Sequence, residues 1–178
     1  MRILLWLRND LRLHDHEPLY KASQQALQQK ADIIPLYCFD PRHFGETSFG
    51  FAKTGAYRAQ FLRETVADLR QSLQAKGSNL VIRQGKPEAE IPALVKALNI
   101  DAVYWHEEVT SEETAVEQAV EKALRELKVT SEVYWGATLY HPDDLPFKLG
   151  KLPEVFTQFR KAVEKESQVF PPFPTPDQ

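Results

Sequence analysis

The chain has 178 residues, 43% hydrophobic and 26% charged, with a formal net charge of −3. This is ordinary globular composition, enough for one domain with a short tail that buries roughly 70% of its unfolded surface, and too acidic for a module that grips nucleic acid by bulk electrostatics. One cysteine, Cys38, excludes an internal disulfide framework and a cysteine-built zinc centre; no apolar stretch approaches the roughly 20 residues that cross a bilayer.

The first element is an apolar run, Ile3 to Leu7, that reads as a buried strand over about residues 2–8. It stops in a polar cluster of Arg8, Asn9, Asp10, Arg12, His14 and Asp15. A helix over about 16–29 follows, with Asp15 as its expected cap. Ile33–Phe39 is a second strand, which Pro35 is expected to make irregular because proline lacks a ladder donor. The loop from Asp40 to Lys53 carries Phe44, Phe49 and Phe51, either a cover for a flat ligand or partner, or a satellite hydrophobic cluster. Thr54-Gly55 opens a long helix to about Lys76, with Phe61, Leu62, Val66, Leu69 and Leu73 on one face and Gly77 as its stop.

Asn79–Arg83 is a third strand, and Pro87 suits the first turn of the helix after it. Asp101–His106 is a fourth strand, Thr110 with Glu113 matches a capping box, and Glu132–Trp135 is a fifth strand. Five strands alternating with helices imply a Rossmann-like, doubly wound α/β fold: a five-stranded parallel sheet with helices on both faces and right-handed crossovers. Residues 1–135 form this unit. Residues 136–178 are a C-terminal extension: a turn-rich loop at His141–Pro146, one helix from about Leu152 to Glu166, and an extended proline-rich linker from Phe170. Such a linker points to a chain that continues into another domain.

No G-x-G-x-x-G follows the first strand and no P-loop is present, so nucleotide readings lose their best support. Gly85-Lys86-Pro87-Glu88 reads as a strand-to-helix turn. His14 and His16 are better explained by helix entry than by metal ligation, and Cys38 as a buried structural thiol. His106-Glu107-Glu108 falls at the carboxyl end of the fourth strand, the edge where such sheets bind ligands. A carboxylate there can accept from the paired N–H groups of a heterocycle, or simply open a helix at the favourable end of its dipole.

Segments in order along the chain resemble one family. They include Trp6-Leu-Arg-Asn-Asp-Leu-Arg12, Tyr37-Cys-Phe-Asp-Pro-Arg42, Lys53-Thr-Gly55, Gly85-Lys-Pro-Glu88, His106-Glu-Glu108, Trp135-Gly-Ala-Thr-Leu-Tyr-His141 and Leu152-Pro-Glu-Val-Phe-Thr-Gln-Phe-Arg-Lys161. The chain is similar to the N-terminal α/β domain of DASH-type cryptochromes in the photolyase/cryptochrome superfamily. The resemblance implies a blue-light-driven flavoprotein that splits cyclobutane pyrimidine dimers in single-stranded DNA, senses blue light, or both. Its catalytic FAD belongs to a helical C-terminal domain that these residues do not contain. That domain is therefore the implied partner, DNA is met only through it, and no catalytic residue, resident metal or membrane contact is expected in this chain.

The role left to these residues is antenna binding. The resemblance implies methenyltetrahydrofolate, held weakly without the second domain, with Glu108 as the matching carboxylate and Glu107 as its neighbour. A deazaflavin or FMN antenna would instead lie over Arg8, Asn9, Phe39, Asp40, Arg42 and Lys53. The alternatives are a standalone nucleotide-binding α/β domain, or an interaction module that self-associates through surface meant for another domain. The expected location is the cytoplasm, or an organelle if a transit peptide has been removed.

Overall fold

Strand β1 (Arg2–Leu7) is apolar on both sides because both sides are covered. In the computed structural model, which describes residues 1–177, Ile3, Leu5 and Leu7 enter one core and Leu4 and Trp6 the other. Strands β2 (Asp32–Phe39), β3 (Val81–Gln84), β4 (Ala102–His106) and β5 (Thr130–Tyr134) complete a wholly parallel sheet in the order β3-β2-β1-β4-β5. Helices α1 (Glu17–Gln29) and α2 (Ala56–Ala75) supply Leu19, Ala22, Val66, Leu69 and Leu73 to the first core. Helices α3 (Pro87–Leu98) and α4 (Ser111–Glu126) supply Ile91, Leu94, Val95, Val120 and Leu124 to the second. This is the doubly wound α/β sheet expected from the alternating pattern. Leaving β1 the chain winds towards β3; from β4 it winds the other way. The crevice between the carboxyl ends of β1 and β4 is therefore the topological switch point.

Local details depart from expectation for identifiable reasons. Pro35 sits in an unbroken ladder with β1, opposite Leu5. Pairing of β2 with β3 begins only at Leu36, so the missing N–H costs no bond there. Phe61 is exposed, because at roughly 100° per residue it lies about a third of a turn round α2 from the stripe of Leu62, Val66, Leu69 and Leu73 that packs on the core. Thr110 caps α4 through its backbone geometry without a side-chain bond, and its carbonyl instead accepts from the Thr114 hydroxyl, so the box with Glu113 is not made. Phe49 and Phe51 stack on each other in solvent, with ring centroids 6.1 Å apart. The Cys38 thiol is buried, and that burial pushes it up to about 12, as befits a structural residue.

Residues 136–177 add two 3₁₀ turns, α5 (Phe156–Glu166) and a tail; Gln178 lies outside the described residues. The tail is extended, as expected, but strapped down. Asp15, at φ 51°, donates its N–H to the Phe173 carbonyl (2.9 Å) and accepts the Phe173 N–H at Oδ1 (3.2 Å). The Phe173 ring lies 5.3 Å from Tyr20, and the Lys76 ammonium donates to the Pro176 carbonyl. Asp15 thus anchors the tail, while the cap of α1 is His16, whose Nδ1 accepts from the Leu19 N–H at 3.1 Å. Replacing Phe173 with alanine should release the tail at a cost of about 1 kcal/mol, seen as faster proteolysis C-terminal to Ser167 with a small fall in melting temperature. Unchanged cleavage would show that the strap is held elsewhere.

Candidate functional site

The turn leaving β1 is built around one carboxylate. Asp10 Oδ1 accepts the Arg8 N–H at 2.7 Å, closing the turn on itself. Its Oδ2 lies 2.6 Å from His106 Nδ1, at the end of β4, and 2.7 Å from His16 Nε2, at the start of α1. Burial alone would raise the Asp10 carboxyl, but hydrogen bonding and charge from the two imidazoles outweigh it and hold it far below the usual carboxylate range. Gly136, just past β5, lies against the other side of His106: a Cβ there would come within 2.6 Å of the ring's Cδ2 and Nε2. One carboxylate and two imidazoles thereby pin together the ends of β1 and β4 and the head of α1.

Asp10, His16 and His106 present ligand atoms within 4.8 Å of one another. The α1 cap argues against His16 as a metal ligand. Its Nδ1 uses its lone pair on the Leu19 N–H, so Nε2 must carry the proton. That Nε2–H faces Asp10 in a short but bent contact. The arrangement is a structural knot.

Above the knot, Arg8 pairs with Glu117 of α4, both side chains about nine-tenths buried (9% and 10% exposed). The Arg8 guanidinium also lies 4.6 Å above the Trp6 ring. Glu117 Oε1 accepts the Glu108 N–H at 2.8 Å, and the Asn9 amide donates to Glu108 Oε1 at 2.8 Å. Burial pushes the Glu117 carboxyl up, and Arg8 and the Glu108 amide pull it part of the way back. Glu108 and Glu107 are both half-buried at the mouth of the crevice. Among the described residues, Glu108 Oε2 takes part in no hydrogen bond or ion pair.

The remaining candidates form a second group on the same carboxyl edge, after β2. Arg42 donates through Nε to both Asp40 oxygens at 3.0 Å and through its two terminal nitrogens to Glu88 at 2.9 Å each. Partial burial would lift the Asp40 carboxyl, but Arg42 holds it below its ordinary value. Lys53 pairs with Glu112 at the head of α4, tying the loop after β2 to the loop after β4. Phe39 packs edge-on to Tyr37, centroids 4.9 Å apart, and faces Phe44 at 6.4 Å. Asn9 and Glu108 are therefore brought together directly and Arg8 reaches Glu108 through Glu117, whereas Asp40 and Arg42 form a separate ion-paired cluster.

The sequence pattern of DNA photolyase matches residues 3–177. This chain belongs to the DNA photolyase family. Within the family, it is 55% identical to a cryptochrome DASH of Gloeobacter violaceus, over 98% of this chain and 34% of that protein. It is 54% identical to a cryptochrome DASH of Xenopus laevis, over 98% of this chain and 33% of that protein. Its fold superposes on the crystal structure of a Synechocystis cryptochrome with a TM-score of 0.93 at 47% identity, covering 99% of this chain and 36% of the other. The chain thus spans about a third of the length of these relatives. Among photolyases and cryptochromes it corresponds to the N-terminal α/β domain. None of its described helices is long and apolar enough to cross a membrane.

Glu117 is the functional-edge residue that the sequence did not single out, whereas His16, read there as helix entry, does cap α1. Only a polar residue on an otherwise buried helix stripe, Glu117 three and seven positions before Val120 and Leu124, could have signalled it.

Proposed function

We propose that this chain is the antenna-chromophore domain of a DASH-type cryptochrome or photolyase, with no turnover of its own. The reading places methenyltetrahydrofolate at the switch-point crevice, its pterin edge on Glu108. The remaining two thirds of such a protein would hold FAD and meet DNA. The intact protein would then repair cyclobutane pyrimidine dimers in single-stranded DNA, sense blue light, or both. A bound folate would supply near-ultraviolet absorption; the chain's residues supply recognition and orientation.

One observation carries this reading. At the ligand edge of a doubly wound sheet, Glu108 is steadied on one oxygen by Asn9 while its other oxygen has no partner among the described residues. A pterin edge offers two adjacent N–H donors, ring and exocyclic, that a carboxylate accepts as a pair. A flavin-type edge offers one N–H between two carbonyls, which a carboxylate opposes. An FMN or deazaflavin antenna also calls for cations open to a phosphate or acidic tail. Arg8, Arg42 and Lys53 are each already paired with a carboxylate.

In the protein at its full natural length, Glu108→Ala should lower folate affinity about tenfold, the worth of one charge-assisted hydrogen-bonded pair. The near-ultraviolet folate band should fall while the flavin band is unchanged. Equal loss of both bands, or no loss of either, would contradict the assignment.

A further inference from the structure

We propose that Glu117 is the positioning residue of this site: buried out of reach of any ligand, it fixes the main chain at Glu108 so that the neighbouring carboxylate is presented in one orientation. The inference rests on Glu108 as the recognition carboxylate. Four residues form a closed circuit. Arg8 holds Glu117, Glu117 accepts the Glu108 N–H, and Asn9, next to Arg8 in the chain, holds the Glu108 side chain. Residues 8 and 9 therefore clamp Glu108 at both ends, the backbone through Glu117 and the carboxylate directly.

Stability does not account for the pair. Glu117 lies on the stripe of α4 that buries Val120 and Leu124, where an apolar side chain would pack without desolvating a charge. Replacing a buried ion pair by apolar residues is often neutral or stabilising. What the charged pair adds here is placement. The loop Glu107–Thr110 has no regular structure, and the N–H of Glu108 is held by a side chain of the following helix. Immobilising a glutamate before its ligand arrives removes an ordering cost that would otherwise weaken binding about three- to tenfold.

The test is a double-mutant cycle in the full-length protein, titrated with 5,10-methenyltetrahydrofolate, with FAD content and melting temperature followed in parallel. E117Q keeps an oxygen that can accept the Glu108 N–H and gives up the charge opposite Arg8; E117M gives up both. E117M should bind folate about three- to tenfold more weakly and E117Q within about twofold of the parent, although both lose the ion pair and melt earlier. In an E108A background, E117M should cause no further loss. If E117M alone does not fold, R8M/E117M removes the whole buried pair and makes the same comparison.

Unchanged folate affinity in E117M, equal losses in E117M and E117Q, or losses that add to E108A would each overturn the positioning role while leaving Glu108 in place. An E108A protein that binds folate as the parent does would overturn both readings at once.

Discussion

Asp10→Ala should cost about 3–5 kcal/mol of folding stability, read as a shift of the urea midpoint at unchanged slope. The reason is the number of groups that depend on one carboxylate. Its two oxygens serve the Arg8 N–H, His106 Nδ1 and His16 Nε2, and the two imidazoles are themselves nearly inaccessible, at 6% and 1% exposure. Removing the acceptor orphans the Arg8 N–H and His106 Nδ1 and takes away the carboxylate that the buried His16 Nε2 faces, and an orphaned donor costs its full desolvation. Breaking a buried charged network from one side sits at the upper end of single-residue effects. Asp10→Asn should cost less, because the amide keeps one acceptor while presenting a second N–H to groups that already donate. A loss below about 1 kcal/mol in Asp10→Ala would mean that the imidazoles find other partners and that the knot holds little.

The same carboxylate sets a pH dependence whose sign is fixed. Hydrogen bonds and charge from His106 and His16 overcome burial and lower the folded-state value of Asp10. The unfolded chain therefore binds a proton first as pH falls. The stability this gives is present above the unfolded value, near pH 4, and is lost progressively as pH falls through the folded value. Stability of the parent should decline below about pH 4, and the gap between it and Asp10→Asn should narrow over the same range. A gap that widens on acidification would reverse the argument.

The sheet was legible because its central strands are covered on both faces. Ile3–Leu7 and Ala102–His106 are apolar runs with no solvent side to interrupt them, and short runs between helices leave few topologies. The end of α2 was readable for the same kind of reason: Gly77 adopts φ 78°, which glycine accepts without strain. The beginning of α2 was readable too, with Gly55 as the N-cap; the placing of Phe61 on the buried face was not, because that residue lies about a third of a turn round the helix from the stripe of Val66, Leu69 and Leu73. At α1, Asp15 and His16 both have the chemistry of a cap, and the choice between them depends on Phe173, 158 residues away. Likewise Arg8 and Glu117 are 109 residues apart, and nothing local to either marks the other as its partner. Motif order pointed to Glu108, but the circuit around it exists only once β1, β4 and α4 meet.

Gly136 gives the second large effect, and it can be separated from ordinary loop strain. Its φ does not lie in the left-handed region, so alanine meets no backbone penalty there. The obstacle is space: the added Cβ would lie 2.6 Å from Cδ2 and Nε2 of His106 and 3.0 Å from Cε1. The ring cannot swing away freely, because its Nδ1 is tied to Asp10 at 2.6 Å and its other face meets His16, centroids 4.7 Å apart. Either the loop after β5 moves outward or the imidazole leaves its carboxylate. Gly136→Ala should therefore destabilise by about 2–3 kcal/mol, the range for overpacking a fixed neighbour. In a His106→Ala background, where the obstructing ring is gone, the same substitution should cost less than about 0.5 kcal/mol. That coupling is the content of the claim: a Gly136→Ala penalty that persists undiminished without the imidazole would place its cause in the loop itself, and the knot at the end of β4 would lose its outer wall.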